Sequence, residues 1–175
     1  TNVQVSISVT EDEPTYVYYY ATLMFNANGG SGAPSSMSEE STSEIIEFQI
    51  PSKKPSKSGY TFVGWSESTS GSGTLYDPGD TYACYGSESD ETYYLYAVWE
   101  AVTYYASLKY NANGGSGAPS TQYESSADGT RYVQFIISQT TPTRSGYSFS
   151  GWATNSSGTG TIYQPGETYT VSGST

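Results

Sequence analysis

Histidine is absent from the 175 residues, and cysteine occurs once, at Cys84. The first absence removes the side chain that most often serves as a general base near neutral pH and as a metal ligand. It also leaves no Ser-His or Cys-His pairing for nucleophilic catalysis. The second absence excludes an internal disulfide. Basic residues are scarce: six Lys plus Arg stand against 17 Asp plus Glu, a formal charge of −11. Nucleic acid and anionic lipid both require a basic footprint, so neither is an expected partner, and the acidity reads as solubility. No apolar run approaches the roughly 18 residues that cross a bilayer, so no membrane insertion is expected. No segment shows the 3.6-residue periodicity of an amphipathic helix. An enzyme, a cofactor and a bound metal are therefore not expected.

Tyrosine and glycine are plentiful, at 19 each, whereas charged residues make up only 13%. Tyr, Thr, Val and Gly at such levels favour strands joined by turns. A surface rich in Ser, Thr, Gly and Tyr and poor in Lys is that of secreted and cell-surface chains, so the expected location is extracellular.

The chain repeats itself. NANGGSGAPS occupies residues 26–35 and returns unchanged at 111–120, a period of about 85 residues. SGYTFVGW (58–65) returns as SGYSFSGW (145–152), and GTLYDPGDTY (73–82) as GTIYQPGETY (160–169). Upstream of the first block, Val17, Ala21, Leu23 and Phe25 correspond to Val102, Ala106, Leu108 and Tyr110. Three blocks in one order mark two tandem copies of one module. The organisation expected is an N-terminal strand and linker over 1–13, repeat 1 over 14–100 and an incomplete repeat 2 over 101–175.

Within repeat 1, strands are predicted at 16–25, 44–50, 60–66 and 92–99, with a short piece near 74–76. The Ser- and Glu-rich stretch 35–43 is predicted to be a loop. Asn28-Gly29-Gly30 tolerates positive φ and closes the first strand into a turn. Tyr18, Tyr19, Tyr20, Tyr93, Tyr94, Tyr104 and Tyr105 cannot all face inward from alternating strands, so some must line the outside.

Together these residues resemble the Listeria-Bacteroides repeat, also called the internalin B-repeat. Repeat 1 carries the pattern at Asn26, Asn28, Gly29, Gly30, Pro55, Gly59, Tyr60, Phe62, Gly64 and Trp65, and then at Leu95, Tyr96, Ala97 and Trp99. Repeat 2 carries it at Asn111, Asn113, Gly114, Gly115, Gly146, Tyr147, Phe149, Gly151 and Trp152. The resemblance implies a mainly β chain of two tandem β-grasp-like modules, similar to ubiquitin and SUMO but with little or no helix. It also implies a surface location and no catalysis.

One departure from the pattern organises the functional reading. Repeat 1 finishes with TYYLYAVW (92–99), and the sequence ends at Thr175 before repeat 2 reaches a counterpart. In a β-grasp sheet the first and last strands are central neighbours, so repeat 2 is expected to hold an open groove. Val102, Tyr104, Ala106, Leu108, Tyr147 and Phe149 are the residues expected to line it. At the other end of the chain, Val3, Val5, Ile7 and Val9 alternate with polar residues, the period-two signature of a strand with one buried face. This segment belongs to neither repeat and stands where the last strand of a preceding module would stand. The expected function is a structural subunit of an extracellular filament or pilus, polymerising head-to-tail as the first strand enters repeat 2 of the next copy. The alternatives are spacer repeats of a longer adhesin, or a surface module that binds glycans.

The remaining candidates have plainer readings. Trp65, Trp99 and Trp152 recur with the repeat, which suits core anchors better than a carbohydrate platform. Glu39, Glu40, Glu44 and Glu47 lie close together in sequence, but in or beside a polar stretch. Asp77 and Asp80 correspond to Gln164 and Glu167, which fits a turn better than a calcium loop. Asn155-Ser156-Ser157 is an N-glycosylation sequon.

Overall fold

The computed structural model describes Gln4 and residues 15–175. Val3, Val5, Ile7 and Val9 lie outside the described residues. The described chain is mainly β, and it contains no helix. It divides into two compact units. One holds the described part of Thr1–Asn28 with Ala33–Lys54 and Gly64–Ala97, and the other holds Gly29–Gly32, Pro55–Val63 and Val98–Thr175.

Repeat 1 supplies β1 (Tyr19–Asn26), β2 (Met37–Ser41), β3 (Ile45–Gln49), β4 (Tyr60–Ser66), β5 (Thr81–Tyr85) and β6 (Glu91–Ala101). Its main sheet has the order β2-β1-β6-β4, with β3 and β5 forming a second, two-stranded sheet. β1 pairs antiparallel with β2 and parallel with β6, in the register Ala21↔Glu91 to Asn26↔Tyr96. The first and last strands are thus central neighbours. Alternation makes the core: Ala21 and Leu23 from β1, Ile46 and Phe48 from β3, Tyr82 and Cys84 from β5, and Leu95 and Ala97 from β6 are all buried. Each large apolar side chain among these contributes about 1.5–3 kcal/mol. The intervening residues face outward, and Tyr20, Tyr94 and Met24 are exposed.

Two strands depart from the sequence expectation. The stretch expected to be a loop at 35–43 contains β2, whose MSEES sequence has no buried residue and no apolar alternation. It pairs with β1 through main-chain bonds and one hydroxyl–hydroxyl contact, Thr22 Oγ1 to Ser38 Oγ at 2.9 Å, and its two glutamates suit an unpaired sheet edge. β5 was not expected, because TYACY offers only two inward side chains, Tyr82 and Cys84. The piece expected near 74–76 is a single bridge between Trp65 and Tyr76.

Repeat 2 supplies β7 (Tyr104–Leu108), β8 (Gln122–Ser126), β9 (Tyr132–Ile136), β10 (Trp152–Ala153), β11 (Ile162–Tyr163) and β12 (Thr168–Ser172). It reproduces the β1–β2 pair as β7–β8 and the β3–β5 pair as β9–β12. It forms no four-stranded sheet: its sheets are all two-stranded. β7 spans five residues where β1 spans eight. The segment matching seven-residue β4 is strand only at Trp152–Ala153. Both shortenings occur at strands whose counterparts flank β6 in repeat 1. A strand without a neighbour has nowhere to place its N–H and C=O groups, so strand geometry is not held there.

Candidate functional site

The two copies act as an internal comparison. Along β3 and β9 and just past them their burial is the same: Ile46, Phe48 and Ile50 correspond to Val133, Phe135 and Ile137, and all six are at most 3% exposed. Beside the β6 position it differs. Ala21, Leu23 and Trp65 are fully buried, whereas Ala106, Leu108 and Trp152 are only half-buried. Tyr82, fully buried against the Tyr93 ring at 6.1 Å, corresponds to half-buried Tyr169. Tyr110 is the exception beside the β6 position, since it is 7% exposed whereas its counterpart Phe25 is half-buried.

Beside Leu108 and Trp152 lies a groove of about 600 Å³. Leu108, Tyr110, Tyr147, Phe149 and Trp152 line it, and Tyr163 and Tyr169 also contribute. Of the residues expected to line it, Leu108, Tyr147 and Phe149 do so, and Val102, Tyr104 and Ala106 are not part of the lining. Ala106 is half-buried on β7, one alternation below Leu108.

The walls are ordered. The Tyr110 ring packs edge-on to Trp152 at 4.8 Å, and Phe149 does so at 5.2 Å. Phe25 meets Trp65 in the same way at 5.1 Å. Tyr110 replaces Phe25, and its added hydroxyl donates to Gln122 Oε1 at 2.7 Å and accepts from the Ser138 N–H at 2.9 Å. These bonds hold the aromatic wall in place from behind. At the rim, the Arg144 guanidinium lies 4.2 Å from the Tyr147 ring. Its counterpart Lys57 lies 4.3 Å from Tyr60 and also 5.9 Å from Trp99, a β6 residue.

Asn113 also lines the groove and was not singled out as a site residue. Its sequence signal was present, since it stands at the positive-φ position of the Asn-x-Asn-Gly-Gly turn, with φ 49° against 47° at Asn28. Tyr110, Tyr163 and Tyr169 could have been named only by knowing which side chains touch β6.

Apart from Trp152 and Asn155, the other candidates fall elsewhere. Trp65 is fully buried, and Trp99 and Trp152 are half-buried. Glu39, Glu40, Glu44 and Glu47 are all exposed. Asp80 Oδ2 accepts the Asp77 N–H at 2.8 Å, and Glu167 Oε2 accepts the Gln164 N–H at 2.7 Å, so one carboxylate closes the same turn in each copy. Among the described residues no group of three or more acidic or Cys side chains is placed to hold a metal. Asn155 is exposed, and its Oδ1 accepts the Thr159 and Gly160 N–H groups, which shapes its loop. Cys84 is buried on β5, and burial pushes its thiol pKa up. Asp128 is pulled down to about 2, chiefly by hydrogen bonds from the Ser126 and Thr130 hydroxyls and the Thr130 N–H.

Comparison with known proteins agrees with the repeat geometry. The Listeria-Bacteroides repeat domain matches residues 22–98 and again 107–175. Two proteins of Evansella cellulosilytica are similar. One, named as a Gly-rich membrane protein, is 28% identical over 91% of this chain and 18% of its own length. The other, named as a membrane protein, is 31% identical over 93% of this chain and 22% of its own length. The chain thus spans about a fifth of the length of these relatives. No solved structure matches. In the described residues no helix is long and apolar enough to cross a membrane. With its two sets of paired turns, aromatic walls and Asn-Gly-Gly corners, the chain belongs to the Listeria-Bacteroides repeat family and carries two tandem copies of that surface-associated structural module.

Proposed function

We propose that this chain is an extracellular structural subunit that polymerises head-to-tail. On this reading, the apolar face of Val3, Val5, Ile7 and Val9 of one copy enters the repeat 2 groove of the next. The observation that carries the reading is the groove: in repeat 1 the equivalent space holds β6, with Leu95 and Ala97 fully buried, and in repeat 2 no described residue fills it. Four aliphatic side chains at about 1.5–3 kcal/mol each supply an upper bound of about 6–12 kcal/mol before ordering is subtracted. The contact joins two different surfaces, so it propagates into a filament unless rotation closes a ring.

A full chain with Val5→Asp and Ile7→Asp places two carboxylates on the inserting face. Sedimentation at rising concentration is expected to show growing head-to-tail oligomers for the parent chain and a monomer for the variant, with unchanged circular dichroism. Equal oligomer distributions in both chains, or a parent that stays monomeric at high concentration, would refute the proposal.

The length of the relatives favours a second reading, in which the repeats are spacers of a longer surface protein and the groove is filled by the same polypeptide. The mass of the natural chain separates the two. A mature chain extending well past the counterpart of β6 supports the spacer reading.

A further inference from the structure

Repeat 1 shows how its turn grips the central strand. The Asn28 N–H donates to Asn26 Oδ1 at 2.8 Å, which holds the residue at φ 47°. Its side-chain amide then donates twice, to the Thr69 carbonyl at 2.8 Å and to the Ala97 carbonyl of β6 at 3.0 Å. The amide carries two hydrogens, and each finds an acceptor.

Repeat 2 rebuilds this corner. The Asn113 N–H donates to Asn111 Oδ1 at 2.8 Å, φ is 49°, and Nδ2 donates to the Ser156 carbonyl at 2.9 Å. Ser156 is the counterpart of Thr69. Arg144 Nη1 also donates to the Asn113 carbonyl at 3.1 Å, which further fixes the corner. Among the described residues the counterpart of the Ala97 carbonyl is missing, and Asn113 lines the groove where it would lie.

Resting on the strand-accepting reading above, we propose that Asn113 is the anchoring residue of the groove. Its amide donates to a main-chain carbonyl of a strand that enters parallel to β7, as β6 lies parallel to β1. Carbonyls of a strand point alternately to its two neighbours, and side chains alternate between faces with the same period. A donor at a set place therefore selects the phase of the strand, and a one-residue slip would turn the apolar face outward. With residues 2–9 of a second copy as the occupant, the alignment burying all four apolar residues sets Val3, Val5, Ile7 and Val9 at the positions of Tyr93, Leu95, Ala97 and Trp99. The carbonyl received is then that of Ile7. Because the corner is already formed without the strand, the donor is pre-organised and little is spent on ordering it.

The test uses the full chain carrying V5D and I7D, which keeps its own first segment out of the groove, with and without Asn113→Asp. Asp keeps the size of the side chain and its tolerance of positive φ but removes the N–H donors. The probes are two synthetic peptides, residues 1–10 with a ¹³C label at the Ile7 carbonyl and residues 90–101 with the label at the Ala97 carbonyl. N113D is expected to weaken both peptides about three- to tenfold, the worth of one such hydrogen bond. The labelled carbonyl is expected to absorb at higher frequency in bound N113D than in bound Asn113, a shift that a purely structural role would not give. Binding within twofold and an unmoved band would overturn the anchor and leave the strand-accepting reading standing. If only the 90–101 peptide binds and depends on Asn113, the anchor stands and residues 1–10 are not the donor. If neither peptide binds, both proposals fall.

Discussion

At the residue scale, corresponding side chains in the two repeats do different work because one neighbour differs. Tyr82 is buried and donates its hydroxyl to Glu67 Oε1 at 2.8 Å, and burial, reinforced by that contact, pushes its pKa upward. Its counterpart Tyr169 is half-buried, and Thr154 stands where Glu67 stands. Tyr82→Phe removes a hydrogen bond to a charged acceptor that can return to water, so a loss of about 0.5–1.5 kcal/mol is expected. Tyr169→Phe is expected to stay within about 0.5 kcal/mol of the parent. Urea midpoints at unchanged slope measure both, and an equal cost for the two changes would contradict this account.

At the element scale, the strands beside the groove should be the least protected. β1 is paired on both sides, by β2 and β6, whereas β7 has β8 on one side and, on the other, a single bridge from Tyr105 to Ser174. The N–H groups of Thr22 and Met24 face β6, and those of Ser107 and Lys109 face the groove, so exchange at Ser107 and Lys109 is expected to be at least about tenfold faster than at Thr22 and Met24 under the same conditions. Exchange mass spectrometry at peptide resolution reads this directly, and equal protection would mean that β7 is held by something other than a strand. Most of these elements were legible beforehand. β4 was read at its observed bounds because YTFVGWS is aromatic, β-branched and bounded by Gly59, and β6 lies within one or two residues of its expected limits. β2 escaped because an edge strand needs only a partner's main chain, which leaves no hydrophobic trace in MSEES. β5 escaped because five residues with two inward side chains do not exceed the noise of local alternation.

At the scale of the molecule, two modules of one design are expected to differ in stability. Repeat 1 has a central strand that buries Leu95 and Ala97 and covers Trp65, and repeat 2 leaves Trp152 half-buried beside a groove. Urea unfolding of the V5D/I7D chain is expected to proceed in two steps, with the fluorescence of Trp152 changing before that of Trp65 when each is followed in a single-Trp variant. A saturating strand peptide should raise the first midpoint alone. At one hundred times its dissociation constant it adds about 2.7 kcal/mol. A single transition unaffected by peptide would show that the groove is not a weak point.

The sequence by itself determined the duplication, the β character and the Asn-Gly-Gly corners, because each is written in spacing and alternation along one chain. Only the tertiary structure decided which side chains line the groove. Tyr110 and Asn113 stand in one stretch of the chain and Tyr163 and Tyr169 in another, and the fold brings the two stretches to one cavity. Neighbourhood across a sheet is set by pairing, and pairing is a property of the fold that local residue order does not contain.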